Sequence, residues 1–257
     1  MDEIKRITEN EFNDIASKYA FNRKLLTKDY FVTLLLYLIK DVKGIYFKGG
    51  TALQKVFLHH TRLSEDIDFS ITRDIKEIKK EIIEIIMQTS LFEKITEDKN
   101  TEGFLRLVIH YKGFTNEHDE VFIDLNKRAK LMRTPESHQV HQFYEPFIPN
   151  FSIKTLAREE LIAEKVEATM QRNKPRDHFD VYQIIRANMP INLDLVKEKC
   201  VAAKIEFSIM NMFNKAKTLK NRWDDDMTSL LAEPVSFKIV MQFLSDYFKL
   251  KEEKLKK

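Results

Sequence analysis

Apolar residues recur at strand spacing only in the first half of the chain, whereas helical spacing dominates the second half. Residues 45–48, 104–111 and 120–126 are short runs rich in β-branched, aromatic and other apolar residues, which is typical of strands. Isoleucines recur at helical spacing over residues 74–88, between lysines and glutamates, and predict an amphipathic helix. Helical spacing predicts further helices over residues 156–172, 176–188, 193–204, 207–222 and 235–252.

The boundary between these two parts is predicted near residue 135. Residues 128–151 contain three prolines and show no clear period, so we interpret them as a connection. The pattern thus predicts an α+β protein with a small antiparallel or mixed sheet and helices in residues 1–135, followed by a helical half in residues 136–257. The two halves need not fold independently.

Two helix starts are predicted from capping residues. Residues 29–40 are largely apolar and predict a buried helix with Asp29 at its N-cap, because a carboxylate there accepts hydrogen bonds from unpaired N–H groups. Residues 52–60 predict a second helix, with Thr51 in the same capping role.

Residues 45–70 carry the first candidate chemistry. A short strand ends at Gly49 and Gly50, where the absence of a side chain lets the backbone turn sharply and approach a ligand. A helix and a polar loop follow, and a second strand carries Asp66 and Asp68. Side chains alternate across a strand, so both carboxylates are predicted on one face and can share a metal such as Mg²⁺, which takes oxygen ligands.

The glycine turn and the acid pair are more informative together than apart. An Asp-x-Asp pair is common at solvated strand ends, and taken alone it indicates little. A glycine turn that opens a helix presents backbone N–H groups that can hold a triphosphate. Coupled to a nearby metal site, this arrangement favours phosphoryl transfer.

Charges of opposite sign are predicted on opposite sides of the helix over residues 156–172. At about 100° per residue, Arg158, Lys165 and Arg172 fall on one stripe, while glutamates occupy the other side. Apolar neighbours indicate that the basic stripe faces protein, where a cation needs an anionic partner. A triphosphate or the aspartate pair is predicted to partner Lys165, which would stabilise the leaving pyrophosphate. The alternative is a lysine stem that reaches solvent along the core.

Two further acids lie on the next predicted helix, which begins near Pro175. Asp177 lies in its first turn, where the positive end of the helix favours a carboxylate, and Asp180 lies at the flank of its apolar face. Either acid can reach the site or pair with Lys165 or Arg172.

The amino-acid composition says more about the cellular environment of the protein than about the reaction it catalyses. Forty-three basic and 40 acidic residues leave a net charge of +3, so any polyanion site must be a local patch. A single cysteine excludes an internal disulfide and suits a reducing cytoplasm. No apolar run approaches the roughly 18 residues that span a membrane, so we expect no membrane association.

Three segments carry a resemblance to a known family: Phe47–Leu53, Arg62–Phe69, and Glu159–Lys165 continued through Arg172 to Pro175–Asp180. They resemble the nucleotidyltransferase toxins of the AbiEii/AbiGii type, which belong to the DNA polymerase β-like superfamily. The resemblance spans about residues 30–190. It is most specific where the Gly-Gly-Thr turn is linked to Ser-Glu-Asp-Ile-Asp-Phe.

The resemblance implies roles for individual residues. The implied catalytic residues, of which the first two would hold Mg²⁺, are Asp66, Asp68, Lys165 and Asp180. The implied nucleotide-binding residues are Lys48, Gly49, Gly50, Thr51, Ser64 and Arg172. Asp124 is the candidate for the third acid that many related enzymes carry, with an edge-strand carboxylate facing water as the alternative. Asp177 is a second candidate for the functional acid near Asp180.

The fold implied by the resemblance is a polymerase β-like nucleotidyltransferase core, with a helical half that contributes Lys and Asp to the site. The activity implied is Mg²⁺-dependent transfer of a nucleoside monophosphate from an NTP to a hydroxyl, which in related toxins is the 3′ end of tRNA. A bacterial toxin–antitoxin or phage-defence system with a cognate antitoxin would be the setting. Basic residues that could form a tRNA track, or simply the solvated faces of helices, are Lys197, Lys199, Lys204, Lys215, Lys217, Lys220 and Arg222.

Two other functions are compatible with the same residues. The fold can transfer a nucleotide to a small molecule such as an aminoglycoside, or to a protein hydroxyl. A catalytically silent module that binds a nucleotide or a partner is the second alternative. The joint presence of both acids, the glycines and Lys165 disfavours the silent module.

Overall fold

The computed structural model describes residues 4–128 and 130–249. The chain separates into two compact units, Met1–Ala157 and Arg158–Lys257. No helix within the described ranges is long and apolar enough to cross a membrane.

A seven-stranded mixed sheet is the main element of the first unit. Its strands are β1 Ile45–Lys48, β2 Ile67–Ile71, β3 Lys94–Thr101, β4 Phe104–Lys112, β5 His118–Asn126, β6 Glu136–Gln139 and β7 Ser152–Thr155. In spatial order they run β3-β4-β5-β2-β1-β7-β6. The pairs β2 with β5 and β1 with β7 are parallel, and all other neighbours are antiparallel. The predicted adjacency of the two long strands is confirmed, since β4 and β5 pair along their full length.

The described residues of the same unit also form four helices and one π-helical turn. They are α1 Glu9–Ala16, α2 Arg23–Ile39, α3 Gly49–Ala52 with the π-helical turn Leu53–Phe57 directly after it, and α4 Ile75–Met87. The helix predicted over residues 74–88 is confirmed as α4. The Asp74 side chain caps it, and its buried face is formed by Ile78, Ile82 and Ile86.

The predicted capping role of Asp29 is wrong. α2 begins at Arg23, and the side chain of Asn22 accepts a backbone N–H of its first turn. Asp29 instead lies inside the helix, fully buried, with Oδ1 2.7 Å from Nζ of Lys55. The continuous apolar run starts only at Tyr30, although Leu26 is already buried, so the pattern placed the start of α2 too late.

The second predicted cap, Thr51, is also wrong. α3 begins at Gly49, so Lys48 occupies the N-cap position and Thr51 lies within the first turn. The Thr51 hydroxyl donates instead to the backbone carbonyl of Asp66. Glycine is unfavourable inside helices, so the Gly-Gly pair was interpreted as a turn before the helix. The free-energy cost of glycine is small at the start of a helix, where α3 places both residues.

The boundary between the compact units falls after Ala157, later than the predicted residue 135. The intervening residues contain β6 and β7, which extend the sheet beyond β1, where Thr155 is the register partner of Phe47. Each of these strands has only four residues, and β6 is polar and largely exposed. Such short edge strands have too few residues to show an alternating pattern.

The second unit is helical in the part that the structure describes. Its helices are α5 Arg158–Gln171, α6 Pro175–Arg186, α7 Leu193–Ala202, α8 Ala216–Met227 and α9 Phe237–Tyr247. The single helix predicted over residues 207–222 is divided instead into the 3₁₀ turn Ile209–Met212 and α8. The α+β class predicted from the pattern is confirmed.

Candidate active site

Gly49 lies at the junction of β1 and α3, directly against a carboxylate. Its φ of +78° is in the left-handed region, which favours glycine. A Cβ added there would lie 3.0 Å from the carboxyl carbon of Asp68 and would overlap a carboxylate oxygen. A side chain at this position is therefore excluded twice, by backbone conformation and by the approach of Asp68.

Asp66 and Asp68 alternate with the core residues of β2 as predicted. Ile67 and Phe69 are completely buried, whereas both aspartates are half-buried. Asp68 lies within the strand and Asp66 immediately precedes it. The carboxylates therefore belong to the more accessible face of the sheet, opposite the apolar core.

Thr51 and Ser64 connect the glycine helix to the loop that carries the acids. The Thr51 hydroxyl, which donates to the Asp66 carbonyl, lies 2.9 Å from Oγ of Ser64. Both side chains are buried. Their polar groups therefore hold α3 against the start of β2, while the N–H groups of the first helical turn have no partner within the helix.

A row of charged residues crosses four adjacent strands beside this junction. Lys48 is the register partner of Asp68, Asp68 of Asp124, and Asp124 of Arg106. Register partners project from the same face of a sheet. The edge-strand interpretation of Asp124 is wrong, because β5 lies between β2 and β4 and Asp124 is only 8% exposed.

Arg106 binds both carboxylate oxygens of Asp124. Its Nε lies 2.7 Å from Oδ1 and its Nη2 lies 2.7 Å from Oδ2. Hydrogen bonding to Asp124 raises the pKa of Arg106, and burial lowers it by a smaller amount. The negative charges of Asp66 and Asp98 also raise this pKa. The guanidinium is therefore a permanent cation beside the acid pair.

The acid pair fits a hard divalent cation. Within residues 4–128 and 130–249, no group of three or more His, Cys, Asp and Glu side chains is arranged to hold a metal. Two carboxylates are nevertheless a common donor set for Mg²⁺, which keeps several waters and takes oxygen atoms of a substrate phosphate. Asp66 and Asp68 beside the glycine junction provide that set.

Lys165 lies in a buried ion cluster within the second unit. It is only 5% exposed, and its Nζ lies 2.9 Å from Oδ1 of Asp177 and 3.0 Å from Oδ2 of Asp180. The alternative of a stem that reaches solvent is wrong. The partner predicted for Lys165 was a triphosphate or the Asp66–Asp68 pair, whereas its partners in the structure are Asp177 and Asp180. Pairing with Lys165 was one of the alternatives left open for these two acids, and both take part in it.

Arg172 completes this cluster from the end of α5. Its Nε lies 2.7 Å from Oδ2 of Asp177, and its Nη2 lies 3.1 Å from Oδ1. Burial would raise the pKa of Asp177, but the charges of Lys165 and Arg172 outweigh it and hold that pKa below its usual value. Asp177 is therefore an ionised acid with no exposed surface.

The family of this chain follows from comparison with known proteins. A family model described as the nucleotidyl transferase AbiEii toxin of a type IV toxin–antitoxin system matches residues 37–242. The chain belongs to this AbiEii family. It is a nucleotidyltransferase toxin, as the resemblance implied.

Two solved structures share the fold of this AbiEii-family toxin. MenT4, a nucleotidyltransferase toxin from Mycobacterium tuberculosis H37Rv, is 20% identical with a TM-score of 0.69, and the match covers 95% of this chain and 89% of MenT4. JHP933 from Helicobacter pylori is 19% identical with a TM-score of 0.64, covering 92% and 95% of the two chains. A comparison with curated protein sequences gives no match. The predicted nucleotidyltransferase fold, with its helical C-terminal half, is confirmed.

Two charged residues of the AbiEii-family chain have ion-pair partners that were not predicted from sequence. Arg106 is one, although it is the only charged residue in the apolar run Phe104–Ile109, which could have marked it. Lys199 is the other: it was assigned to a basic track but is only 8% exposed. Its Nζ lies 2.6 Å from Glu160 and 2.9 Å from Glu164, so the acidic side of α5 packs against α7.

Proposed function

We propose that this AbiEii-family toxin transfers a nucleoside monophosphate from an NTP to the hydroxyl at the 3′ end of tRNA. The observation that carries the proposal is the contact between Gly49 and the Asp68 carboxylate. It brings a backbone segment suited to phosphate binding directly against an acid suited to metal binding. A nucleotide triphosphate with its magnesium ion needs these two features together.

Asp66 and Asp68 would hold Mg²⁺, and the first turn of α3 would hold phosphate oxygens. Mg²⁺, when bound, would neutralise the negative charge that builds up on the phosphates. The N–H groups of Gly49, Gly50 and Thr51 are suited to the phosphates because helix starts attract anions. Lys48 and Ser64 are proposed to line the same site, since Lys48 is the register partner of Asp68 and Ser64 adjoins Thr51.

The proposed reaction balances without a further reactant. The acceptor oxygen forms a bond to the α-phosphorus, and the bond from that phosphorus to the bridging oxygen breaks. Pyrophosphate leaves, and the proton of the hydroxyl is released to water. Chemistry of this type depends on positioning and charge stabilisation, which fixed cations and backbone donors provide.

The helical unit is proposed to contribute Lys165 and Asp180 to the reaction and Arg172 to nucleotide binding. The buried cluster supports this role, because Lys165 is held by two acids and cannot move freely. Asp177 is then the structural member, since it bridges Lys165 and Arg172. A cation fixed before substrate arrives costs no reorganisation when charge develops.

The biological part of the proposal is a cytoplasmic toxin with a cognate antitoxin, acting in a toxin–antitoxin or phage-defence system. Membership of the AbiEii family supports a cognate antitoxin as the partner and an NTP as the substrate. The choice of tRNA is supported by the resemblance and by basic residues of the helical unit. Lys215, Lys217 and Lys220 are exposed, whereas Lys199 is withdrawn from the proposed track because it is buried in an ion pair.

The test is a transfer assay with each of the four α-labelled NTPs, Mg²⁺ and three separate acceptors. We expect label on tRNA, and no label when the terminal ribose has been oxidised by periodate. Label on an added aminoglycoside or on protein, with tRNA unlabelled, would contradict the tRNA assignment. Asp66→Asn should remove the label, whereas Asp14→Asn, a change at an exposed acid of α1, should keep it.

A further inference from the structure

Asp124, the candidate third acid beside Asp66 and Asp68, already forms an ion pair with Arg106 in the absence of substrate. Asp124 lies beside Asp68 in the parallel register of β5 and β2, which is where a third metal ligand would be placed. Both of its oxygens accept hydrogen bonds from Arg106 at 2.7 Å. A planar guanidinium matches a carboxylate in this paired geometry better than any other side chain does.

Arg106 is itself held on more than one side. Its guanidinium carbon lies 4.8 Å from the ring centre of Phe122, two residues before Asp124 on the same strand. Its Nη1 also lies 3.7 Å from Asp98 on β3. The arginine is therefore fixed by stacking and by charge, and it does not depend on Asp124 alone for its position.

The pairing changes the charge that a metal would encounter. The guanidinium compensates the charge of Asp124, which lies beside Asp68 in the same row of the sheet. Asp124 therefore adds little net negative charge to the site that Asp66 and Asp68 are proposed to form. Affinity for hard cations rises with the number of charged ligands, so this pairing limits metal affinity in the absence of a nucleotide.

We propose that Arg106 is a positioning residue that holds Asp124 out of the metal site, so that only Asp66 and Asp68 are protein ligands. Triphosphate oxygens then complete the coordination, and tight metal binding requires the nucleotide. This inference rests on the proposed function, because it assumes that Asp66 and Asp68 bind the metal. It differs from the usual role of a third acid, which would be ligation.

The experiment measures Mn²⁺ binding to the full-length protein without nucleotide, using the electron paramagnetic resonance signal of free Mn²⁺. Asp66→Asn and Asp68→Asn should each weaken binding at least about tenfold, and Asp124→Asn should weaken it less, because the positive charge of Arg106 is then no longer compensated. Arg106→Gln should tighten binding about tenfold, because Asp124 becomes available as a third ligand. The double variant Arg106→Gln/Asp124→Asn should return to the wild-type value.

Controls separate the possible failures. Arg73→Gln removes an ion pair with Glu81 elsewhere in the unit and should not change Mn²⁺ binding. If Arg106→Gln does not fold, as judged by circular dichroism, Arg106→Lys is used: a lysine cannot occupy both oxygens and should give partial tightening.

Two outcomes would overturn the proposal in different ways. Weakening of Mn²⁺ binding by Arg106→Gln/Asp124→Asn to the level of Asp68→Asn would make Asp124 a ligand, because this variant leaves no uncompensated arginine, and only the inference on Arg106 would fall. Unchanged binding in both Asp66→Asn and Asp68→Asn would remove the metal site of the proposed function, and the inference with it.

Discussion

The two compact units hold their aspartates in opposite ways. In the first unit, Asp66 and Asp68 are half-buried on a sheet face beside a glycine. In the second unit, Asp177 and Asp180 have no exposed surface and contact Lys165 through salt bridges. The comparison indicates that the acids proposed to bind a metal keep accessible surface, whereas the acids that pair with Lys165 are buried.

The first unit also contains a buried acid paired with a cation, namely Asp124 with Arg106. Asp124 is a neighbour of Asp68, yet it is paired and nearly buried like Asp177. Adjacent positions of one sheet row therefore carry acids of both kinds. Burial, rather than place in the chain, distinguishes them.

The largest effect is expected from Asp177→Ala. It removes one partner from a buried cluster and leaves Lys165 and Arg172 with less compensation, which costs about 3–5 kcal/mol of unfolding free energy. Urea denaturation followed by circular dichroism measures this change. Asp194→Ala, which removes an exposed acid paired with Lys197, should stay within about 0.5 kcal/mol. Equal losses in both variants would contradict the contrast between enclosed and accessible acids.

Asp68→Asn should have the converse effect, on activity and not on stability. Loss of a metal ligand removes several kcal/mol of charge stabilisation, so we expect the transfer rate to fall about 1,000-fold. The unfolding free energy should change by less than about 1 kcal/mol, because the carboxylate is half-buried. Single-turnover transfer and urea denaturation of the same preparation check both statements. Asp41→Asn, at an exposed residue, is the matched control.

Gly49→Ala should come next in size. Alanine at a φ of +78° costs about 1–2 kcal/mol, and its Cβ would also displace the Asp68 carboxylate. Misplacement of a catalytic group by about 1 Å reduces rates about 100-fold, and we expect a loss of that order. Gly113→Ala is the control, because that glycine has no left-handed φ and the nearest atoms to its Cβ belong to the flexible Glu117 side chain. Full activity of Gly49→Ala would show that Gly49 is not part of the active site.

The smallest expected effect is a decrease in the unfolding free energy at low pH, caused by protonation of Asp177 in the second unit. The pKa of Asp177 is lower in the folded chain than in the unfolded chain, so its contribution is present above the unfolded pKa of about 4 and declines as the pH falls below it. Unfolding free energies measured between about pH 3 and pH 6 should therefore decrease toward acid. Asp177→Asn should make this dependence shallower. An unchanged pH dependence in that variant would assign the acid sensitivity to other groups.

Much of the candidate site was predictable because local spacing encodes which face a residue occupies. The alternation of Asp66 and Asp68 with buried apolar residues followed from strand geometry alone. The stripe that carries Lys165 and Arg172 followed from helical spacing in the same way, and the structure places both beside Asp177. Their catalytic roles stay predictions, which the variants above test.

The sequence by itself determined the strands β1, β2, β4 and β5 and the helices α4 to α7. It also determined the faces on which Asp66, Asp68 and Lys165 lie. Only the tertiary structure decided which charges meet: Arg106 with Asp124, Lys199 with Glu160, and Lys55 with Asp29. These pairs are separated by 18 to 39 positions along the chain. Periodicity fixes the direction of a side chain within one element, but the partner depends on strand register and on how helices pack, and no local pattern encodes either.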